Sequence, residues 1–367
     1  MKIPFVDLLA QYRAHQAEID GALRDVIEST AFIGGRFVKE FEESYAREYG
    51  IKHCVSVANG TDAIYIVLRM LGIGPGDEVI TTAHSWFSTA ETIGQTGATP
   101  VFVDVDEFYN IDPARIEAAI TPRTRAMIPV HLYGQAARME QIQEICLRRG
   151  LQLIEDCAQA HFATHAGKRV GTFGVAATFS FYPGKNLGAY GDAGAIITGD
   201  DELATRFRMY ANHGQLKKHE HQIEGVNSRL DGLQAALLSK KLPHIHDWTR
   251  RRQAVAELYR QQLAGFEPVT VPECAPGSTH VYHLYVVRVP NREPLREFLR
   301  DRGIETGVHY PTALPFLTAY RARNHQPQEF PRAHHNQDTI LSLPIYPEMT
   351  EEMVTYVVEA IRAFYGK

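Results

Sequence analysis

The sequence predicts an α/β protein with a large, mostly parallel sheet covered by helices on both faces, followed by a smaller α+β domain. From residue 54 to residue 155, short apolar strand patterns alternate with amphipathic helical patterns, as in successive βαβ units. After Glu267 this alternation stops, and 367 residues are enough for two domains. We therefore predict a large domain at residues 1–247, and a linker helix with the small domain at residues 248–367.

Each element is assigned from the period of its apolar residues. Helices are predicted at Gln11–Ile27, Val38–Tyr49, Thr61–Leu71, Ser88–Gln95, Pro113–Ile120, Met139–Arg149, Asp200–His213, Asp231–Leu242, Trp248–Leu263, Glu293–Arg302 and Glu351–Phe364. Strands are predicted at Cys54–Ala58, Glu78–Thr82, Thr99–Asp104, Ala126–Leu132, Leu151–Glu155, Ala177–Tyr182, Ala195–Thr198, His283–Val289 and Glu305–His309. The polar stretch 214–225 lacks any period and is predicted to be a mobile loop, and Arg250, Arg251 and Arg252 predict a solvated helix face.

Composition excludes several classes of protein. A net charge of −5 argues against a general nucleic-acid binder. No uncharged apolar run is long enough for a membrane span, and Asp7 interrupts the apolar start, so no signal peptide is predicted. The four cysteines form no CxxC pair, which favours free thiols in a reducing cytoplasm. The 17 histidines show no metal-binding spacing, so no metal is predicted.

The stretch TFSFYPGKNLGAYGDAG, residues 178–194, is the most informative part of the chain. A strand pattern ends at Pro183–Gly184, a strong turn signal, and Lys185 follows at once. Gly188, Gly191 and Gly194 allow close approach to the backbone. An exposed loop lysine is the ordinary interpretation. A phosphate-loop lysine is excluded because residue 179 is Phe where that motif needs Gly, and the third interpretation is a lysine that bonds covalently to a carbonyl.

Asp156 decides for the third interpretation. It ends the buried-strand pattern LQLIED, so its carboxylate is displayed at a sheet edge. Pyridoxal 5′-phosphate enzymes need an acid of this kind beside the pyridine nitrogen. Asn59, His84 and His131 also follow predicted strands at this edge. The turn at Asn59–Gly60–Thr61 precedes a helix, whose N-terminus suits a phosphate, although simple helix capping is the alternative.

The motifs EDCAQA and SFYPGKNLGAYGDAGAI, residues 155–160 and 180–196, resemble those of the DegT/DnrJ nucleotide-sugar aminotransferases. The resemblance extends from IPFVDL near the start to LSLPIYP near the end. It implies the fold of type I pyridoxal-phosphate enzymes, which is aspartate aminotransferase-like, and glutamate, released as 2-oxoglutarate, as amino donor. It implies pyridoxal 5′-phosphate as cofactor, with pyridoxamine 5′-phosphate as the intermediate form. Some relatives have His in place of this lysine and dehydrate sugars, so Lys185 favours transamination.

The resemblance also implies roles for further residues. Lys185 and Asp156 are catalytic, and Gly60, Thr61 and Ser180 hold the phosphate together with Asn227 from the neighbouring subunit of a homodimer with shared active sites. Trp86 stacks on the pyridine ring, although core packing is the ordinary role of such an aromatic. Gln159 holds the ring 3-oxygen.

The substrate implied is a nucleotide-diphospho-keto-sugar used in amino-sugar biosynthesis, for example for lipopolysaccharide O-antigen. Arg229 suits the diphosphate, Lys217 and Lys218 suit closure over it, and His309 and Tyr310 contact the sugar; a purely structural His309 stays open. A dTDP-linked 3-keto-6-deoxyhexose is the predicted substrate, with a 4-keto sugar or a UDP- or GDP-linked sugar as alternatives.

Two other classes of protein stay open. A pyridoxal-phosphate desulfurase or decarboxylase is one, although Cys274 has no activating cation in its PECAPG context. A non-enzymatic ligand sensor on the same fold is the other, but it would not need Lys185.

Overall fold

A computed structural model describes residues 1–366. Its centre is a seven-stranded sheet in the order β1-β9-β8-β5-β4-β2-β3. Every strand pair is parallel except those of β9, which runs antiparallel to both neighbours. The strands of this sheet are β1 His53–Val57, β2 Glu78–Thr82, β3 Thr99–Val103, β4 Thr124–Ile128, β5 Gln152–Asp156, β8 Ala176–Ser180 and β9 Gly194–Thr198. The predicted α/β class with a mostly parallel sheet is confirmed.

Within residues 1–366, thirteen α-helices surround the sheets. They are α1 Leu8–Ala14, α2 Gln16–Glu28, α3 Gly35–Tyr49, α4 Gly60–Met70, α5 Ser88–Gln95, α6 Pro113–Ala119, α7 Met139–Arg149, α8 Asp201–Ala211, α9 Gly232–Lys241, α10 Ile245–Gln262, α11 Arg292–Asp301, α12 Pro331–Thr339 and α13 Glu351–Phe364. Within residues 1–366, no helix combines the length and the apolar character that crossing a membrane requires.

Apolar side chains fill both faces of the large sheet. On one face, Ile64 and Val67 of α4 and Phe207 of α8 pack against Ile196 of β9. On the other face, Phe41 and Tyr45 of α3 and Leu238 of α9 pack against Phe179 of β8. Central parallel strands covered on both faces explain the continuous apolar runs in the sequence.

A separate core lies in the C-terminal part, where α10, α11 and α13 cover a two-stranded antiparallel sheet. Its strands are β10 Tyr285–Arg288 and β11 Ile340–Leu343; a second short pair is β6 Thr164–His165 with β7 Lys168–Arg169. Ile3 belongs to this C-terminal core and pairs with Ile304. The division at residue 247 stays a prediction.

Three sequence-based predictions differ from the structure. The helix predicted at 11–27 is broken at His15, whose φ of −126° interrupts it. The strand predicted at Glu305–His309 forms one bridge, Gly307 with Ser342, and β10 pairs with β11 instead. Arg252 is buried, and its guanidinium donates to the carbonyls of Tyr282, His283 and Ile345. Each difference arises from contacts with residues far away in the sequence, which local patterns do not report.

Candidate active site

A cavity of about 730 Å³ lies at the carboxyl edge of the large sheet. Residues from four sequence-distant segments line it, which is where open α/β sheets place ligands. They are Asn59, Gly60 and Thr61 after β1, Ser85 and Trp86 after β2, Asp156, Ala158 and Gln159 at the end of β5, and Ser180, Tyr182, Pro183, Gly184 and Lys185 at the end of β8. His309 and Tyr310 of the C-terminal part complete the wall.

Lys185 is displayed by a tight turn, in which its N–H donates to the Tyr182 carbonyl at 2.8 Å. Glycine is required at position 188, because a Cβ on Gly188 would lie 2.2 Å from the carbonyl oxygen of Pro183 in the turn. Burial lowers the pKa of Lys185 to about 8, and the nearby Asp156 charge opposes this shift. At pH 7 about a tenth of the Lys185 amine is therefore neutral and nucleophilic, which is far more than for a lysine of ordinary pKa.

Asp156 is buried at the end of β5, and both of its carboxylate oxygens accept hydrogen bonds. Oδ2 accepts from the Thr89 hydroxyl at 3.0 Å, and Oδ1 accepts from the Ala158 N–H at 3.1 Å. Burial raises the pKa of Asp156, while these donors and Lys185 oppose the rise. A positive charge beside this carboxylate would offset the cost of burying its negative charge. A protonated ring nitrogen would supply such a charge.

Glu155 and His131 support Asp156 from behind. Glu155 accepts from the N–H groups of Gly171, Phe173 and Gly174 at 2.7–3.0 Å, and it lies 3.1 Å from His131 Nε2. The Ala137 N–H donates to His131 Nδ1, so the ring proton is on Nε2 and is donated to Glu155. His131, Glu155 and Cys157 have potential metal-ligating atoms close together. The His131 and Glu155 atoms, however, already take part in the hydrogen bonds described above, which argues against a metal site. His131 is thus a supporting residue.

The N-terminus of α4 forms a cradle for an anion. Asn59 Oδ1 caps the helix by accepting from the Asp62 N–H at 2.8 Å, and the N–H groups of Gly60 and Thr61 point out of the first turn. Ser180 lies against this turn, since a Cβ on Gly60 would come within 2.7 Å of its Cβ. Thr61 Oγ1 lies 2.7 Å from Ser88 Oγ. The capping alternative therefore holds for Asn59, while phosphate binding by the free Gly60 and Thr61 N–H groups stays a prediction.

Trp86 and Tyr310 form an aromatic wall, with ring centroids 5.5 Å apart. Trp86 is 58% exposed and lines the cavity, so the core-packing alternative is wrong. Gln159 donates from Nε2 to the Tyr310 hydroxyl at 3.0 Å and accepts from the Tyr133 N–H at 2.6 Å. Gln159 as the partner of a ring oxygen stays a prediction.

His309 is held between the large sheet and the C-terminal part. Its carbonyl accepts from the Tyr133 hydroxyl, its Nδ1 lies 2.8 Å from Ser342 Oγ, and its ring stacks on Phe5. Burial lowers the pKa of His309 to about 4, with Lys185 adding to the shift. A neutral imidazole therefore faces the cavity, and its contact with a sugar stays a prediction.

Asn227 and Arg229 lie outside the cavity wall formed by residues 1–366. Arg229 donates to Asn212 Oδ1 at 3.3 Å, and Asn227 forms an isolated bridge with Asn212. Lys217, paired with Glu220, and Lys218 are exposed and also stand apart. The chain by itself therefore does not bring these predicted groups to Lys185.

Thr89, Tyr133 and Lys241 are functional candidates that the sequence did not reveal. The ammonium of Lys241 is buried beneath the Lys185 loop, donates to the Gly188 carbonyl at 2.7 Å and lies 4.5 Å from the Tyr190 ring centroid. A lysine in the last turn of a helix carries no sequence signal for burial. Thr89, the second residue of α5 and a hydrogen-bond donor to Asp156, was detectable only as a hydroxyl in the first turn of a predicted helix.

The profile of the DegT/DnrJ/EryC1/StrS aminotransferase family matches residues 13–362. The chain belongs to this family. Among similar solved structures is DesV from S. venezuelae, with a TM-score of 0.97 at 43% identity, covering 100% of this chain and 99% of that one. NtdA from Bacillus subtilis, solved with bound cofactor PMP, has a TM-score of 0.91 at 31% identity, covering 100% of this chain and 86% of NtdA.

Similar sequences include a pleiotropic regulatory protein of Geobacillus stearothermophilus, 48% identical over 100% of this chain and 99% of that relative. A dTDP-3-amino-3,4,6-trideoxy-alpha-D-glucose transaminase of Streptomyces venezuelae is 44% identical, and the match covers 98% of this chain and 96% of that relative. A UDP-N-acetyl-3-dehydro-alpha-D-glucosamine 3-aminotransferase of Acidithiobacillus ferrooxidans is 41% identical, covering 98% and 97%.

The protein is an aminotransferase of the pyridoxal-phosphate type, and its cavity fits that cofactor. The donor set matches each part of the molecule: two free N–H groups of α4 for the phosphate, Asp156 for the ring nitrogen, Trp86 for the ring face and Lys185 for the aldehyde. When bound, the cofactor supplies an electron sink for the carbanion formed at a substrate carbon.

Proposed function

We propose that this enzyme moves the amino group of glutamate to the 3-keto group of a dTDP-linked 6-deoxyhexose. The geometry that supports the proposal is the pairing of Lys185, whose burial lowers its pKa, with an uncharged aromatic wall at Trp86 and Tyr310. Such a wall suits the rings and hydroxyls of a neutral sugar. The two relatives described as sugar aminotransferases both have names that place nitrogen at position 3.

Each step draws on a residue with suitable geometry. With the cofactor bound, Lys185 would hold it through the neutral amine and, once displaced by the amino donor, would carry a proton to or from the donor carbon. Asp156, held by Thr89 and Ala158, would place a negative charge beside the ring nitrogen and so favour its protonated form. The sugar half-reaction reverses these proton movements, so the same lysine serves both halves.

Charge supports a dimer with shared sites. A nucleotide sugar carries a diphosphate, and within residues 1–366 Lys185 is the sole Lys or Arg that lines the cavity. Arg229 has a planar fork suited to phosphate oxygens and lies outside its own chain's cavity. We infer that Arg229, with Asn227, reaches the site of a second subunit.

A reverse assay tests the proposal. The enzyme is given 2-oxoglutarate with a dTDP-3-amino-6-deoxyhexose, its 4-amino isomer, or a UDP-linked 3-amino sugar, and glutamate is quantified. We expect the dTDP-3-amino sugar to give the highest kcat/KM. A higher value with the 4-amino isomer would overturn the proposed position, and a higher value with the UDP sugar would make a UDP-3-keto sugar the substrate, as the 41% identical relative suggests.

The same assay separates the enzyme from a ligand sensor. The name of the Geobacillus relative denotes regulation, whereas Lys185 and Asp156 supply the two groups that catalysis needs. Multiple turnovers with any of the three sugars exclude a pure sensor. Replacing 2-oxoglutarate by pyruvate or oxaloacetate tests the donor, because glutamate as donor predicts the fastest reaction with 2-oxoglutarate.

A further inference from the structure

A second group of metal-ligating side chains lies away from the active site, where the N-terminal helices meet the junction of α9 and α10. His15 sits at the break between α1 and α2, Glu18 lies in the first turn of α2, and His244 precedes α10. Glu18 Oε2 is 3.3 Å from His244 Nε2, and Glu18 Oε1 is 3.9 Å from His15 Nδ1. One ligand atom from each residue lies within 4.8 Å of the others.

We propose that His15, Glu18 and His244 form a binding site for a divalent transition metal, with Zn²⁺ as the best fit. Two imidazoles and one carboxylate are a common Zn²⁺ ligand set, with solvent in the fourth position. Tetrahedral Zn²⁺ places its ligand atoms roughly 3.3 Å apart, so the observed spacing requires only small side-chain movements.

The packing around the two histidine rings holds them close together, as a metal site requires. The two imidazole rings lie 4.1 Å apart, and Trp248 packs against both, at 5.5 Å from His15 and 5.7 Å from His244. This apolar indole limits the ring rotamers and shields one side from water.

Two cations set an upper limit on the affinity. Arg251 and Lys241 place positive charge close to His15, so they repel a bound metal ion. We therefore expect a micromolar rather than a nanomolar dissociation constant. The consequence of binding is mechanical, because the metal would tie α2 to the junction that begins α10, and so raise the thermal stability of the chain.

The test is titration of the metal-free holoenzyme with ZnCl2 by isothermal calorimetry, in a Cys274→Ser background that removes the exposed thiol. We expect one Zn²⁺ per chain, and at least tenfold weaker binding in His244→Gln. His246→Gln is the matched control, because His246 lies two residues further along, is exposed and pairs with Glu48 at 2.8 Å. That variant should bind Zn²⁺ as its parent does.

A stoichiometric site that His244→Gln leaves unchanged, or the lack of any stoichiometric site in the parent, would overturn the proposal. Glu18→Gln offers a second variant at a half-exposed position should His244→Gln fail to fold. Anomalous scattering at the zinc edge is independent of both variants. We expect a peak between His15 and His244, and a soaked crystal without that peak would also reject the site.

Discussion

At the scale of single residues, the active site depends on opposed effects of burial on Lys185 and Asp156. Burial disfavours charge on both, lowering the pKa of the lysine and raising that of the aspartate. Their mutual attraction opposes both shifts. The lysine is therefore available as a nucleophile, and the carboxylate gains from any cation placed beside it.

The pH dependence of Lys185 reactivity tests this balance in the cofactor-free protein. Because its pKa is lowered to about 8, half of the Lys185 amine is neutral at about pH 8, and the neutral fraction levels off only about two pH units higher. Acetylation by acetic anhydride, followed by mass spectrometry of the Lys185 peptide, should show this midpoint. Acetylation of the exposed Lys217, measured in the same digest, serves as the internal reference for the reactivity of acetic anhydride at each pH. A midpoint near the ordinary lysine value of about 10.4 would contradict the burial effect.

Asp156→Asn should lower turnover far more than cofactor affinity. Loss of a charge-assisted hydrogen bond costs about 1.5–3 kcal/mol, or about 10- to 160-fold in cofactor Kd. Turnover should fall further, because the protonated ring nitrogen acts mainly in the transition state. Thr89→Val is the companion variant, since it removes one hydrogen bond but keeps the charge. Equal losses of affinity and turnover in Asp156→Asn would make Asp156 a structural residue.

At the scale of elements, α9 supports the loop that displays Lys185. Lys241 donates to the Gly188 carbonyl, and Gln234 Oε1 accepts from the Tyr190 N–H at 2.8 Å. Burial lowers the pKa of Lys241 to about 8. These contacts connect one helix to residues 188 and 190 of the segment that follows Lys185.

Lys241→Met should therefore reduce kcat while changing the KM for the amino donor little. The variant leaves the buried Gly188 carbonyl without a partner, which costs about 1–3 kcal/mol of stability. Urea denaturation and steady-state kinetics measure the two effects. Lys240→Met is the control, because its side chain belongs to an exposed residue on the same helix. Unchanged kinetics in Lys241→Met would show that the loop holds its shape without α9.

The junction of β9 with α4 determines the shape of the anion cradle. A Cβ at Gly194 would lie 2.4 Å from the carbonyl group of Asn59 and 2.8 Å from the Gly60 nitrogen. Gly194→Ala should therefore displace the first turn of α4 and weaken pyridoxal phosphate binding, which fluorescence titration measures. Gly199→Ala at the other end of β9 has no heavy atom within 4 Å and should bind normally. Equal affinities in both variants would argue against the cradle.

At the scale of the whole molecule, the open question is whether each site needs two chains. Trp86 and Tyr182, at the cavity, are 58% and 59% exposed, which is unusual for large aromatic side chains unless a ligand or partner covers them. Asn227 and Arg229 offer phosphate-binding groups away from their own cavity. A partner subunit would account for both observations.

Subunit mixing tests this arrangement. Lys185→Ala chains and Asn227→Ala/Arg229→Ala chains, each nearly inactive alone, are unfolded together and refolded. If sites are shared, half of the sites in mixed dimers combine one intact Lys185 with intact Asn227 and Arg229, and activity returns. Wild-type chains refolded in parallel control for recovery. No gain over the separate variants would place all three residues in the site of one chain.

Local patterns in the sequence were sufficient to predict most elements of the large sheet and the main candidate groups at its carboxyl edge. β2, α5, α7 and α13 have the predicted bounds, because each has a strong apolar period and clear end signals. Lys185, Asp156 and the Gly60 turn were identifiable because the turn, the strand end and the helix start each follow local rules. The parallel sheet then requires these carboxyl-end groups to share one edge.

Only the tertiary structure decided which distant groups meet. The break at His15, the pairing of β10 with β11 and the burial of Arg252 and Lys241 all depend on neighbours far along the chain. A buried lysine or arginine is stable only where carbonyl acceptors converge on it, and those acceptors come from other segments. Periodicity reports which face of an element is buried, but it carries no information about the partner that covers that face.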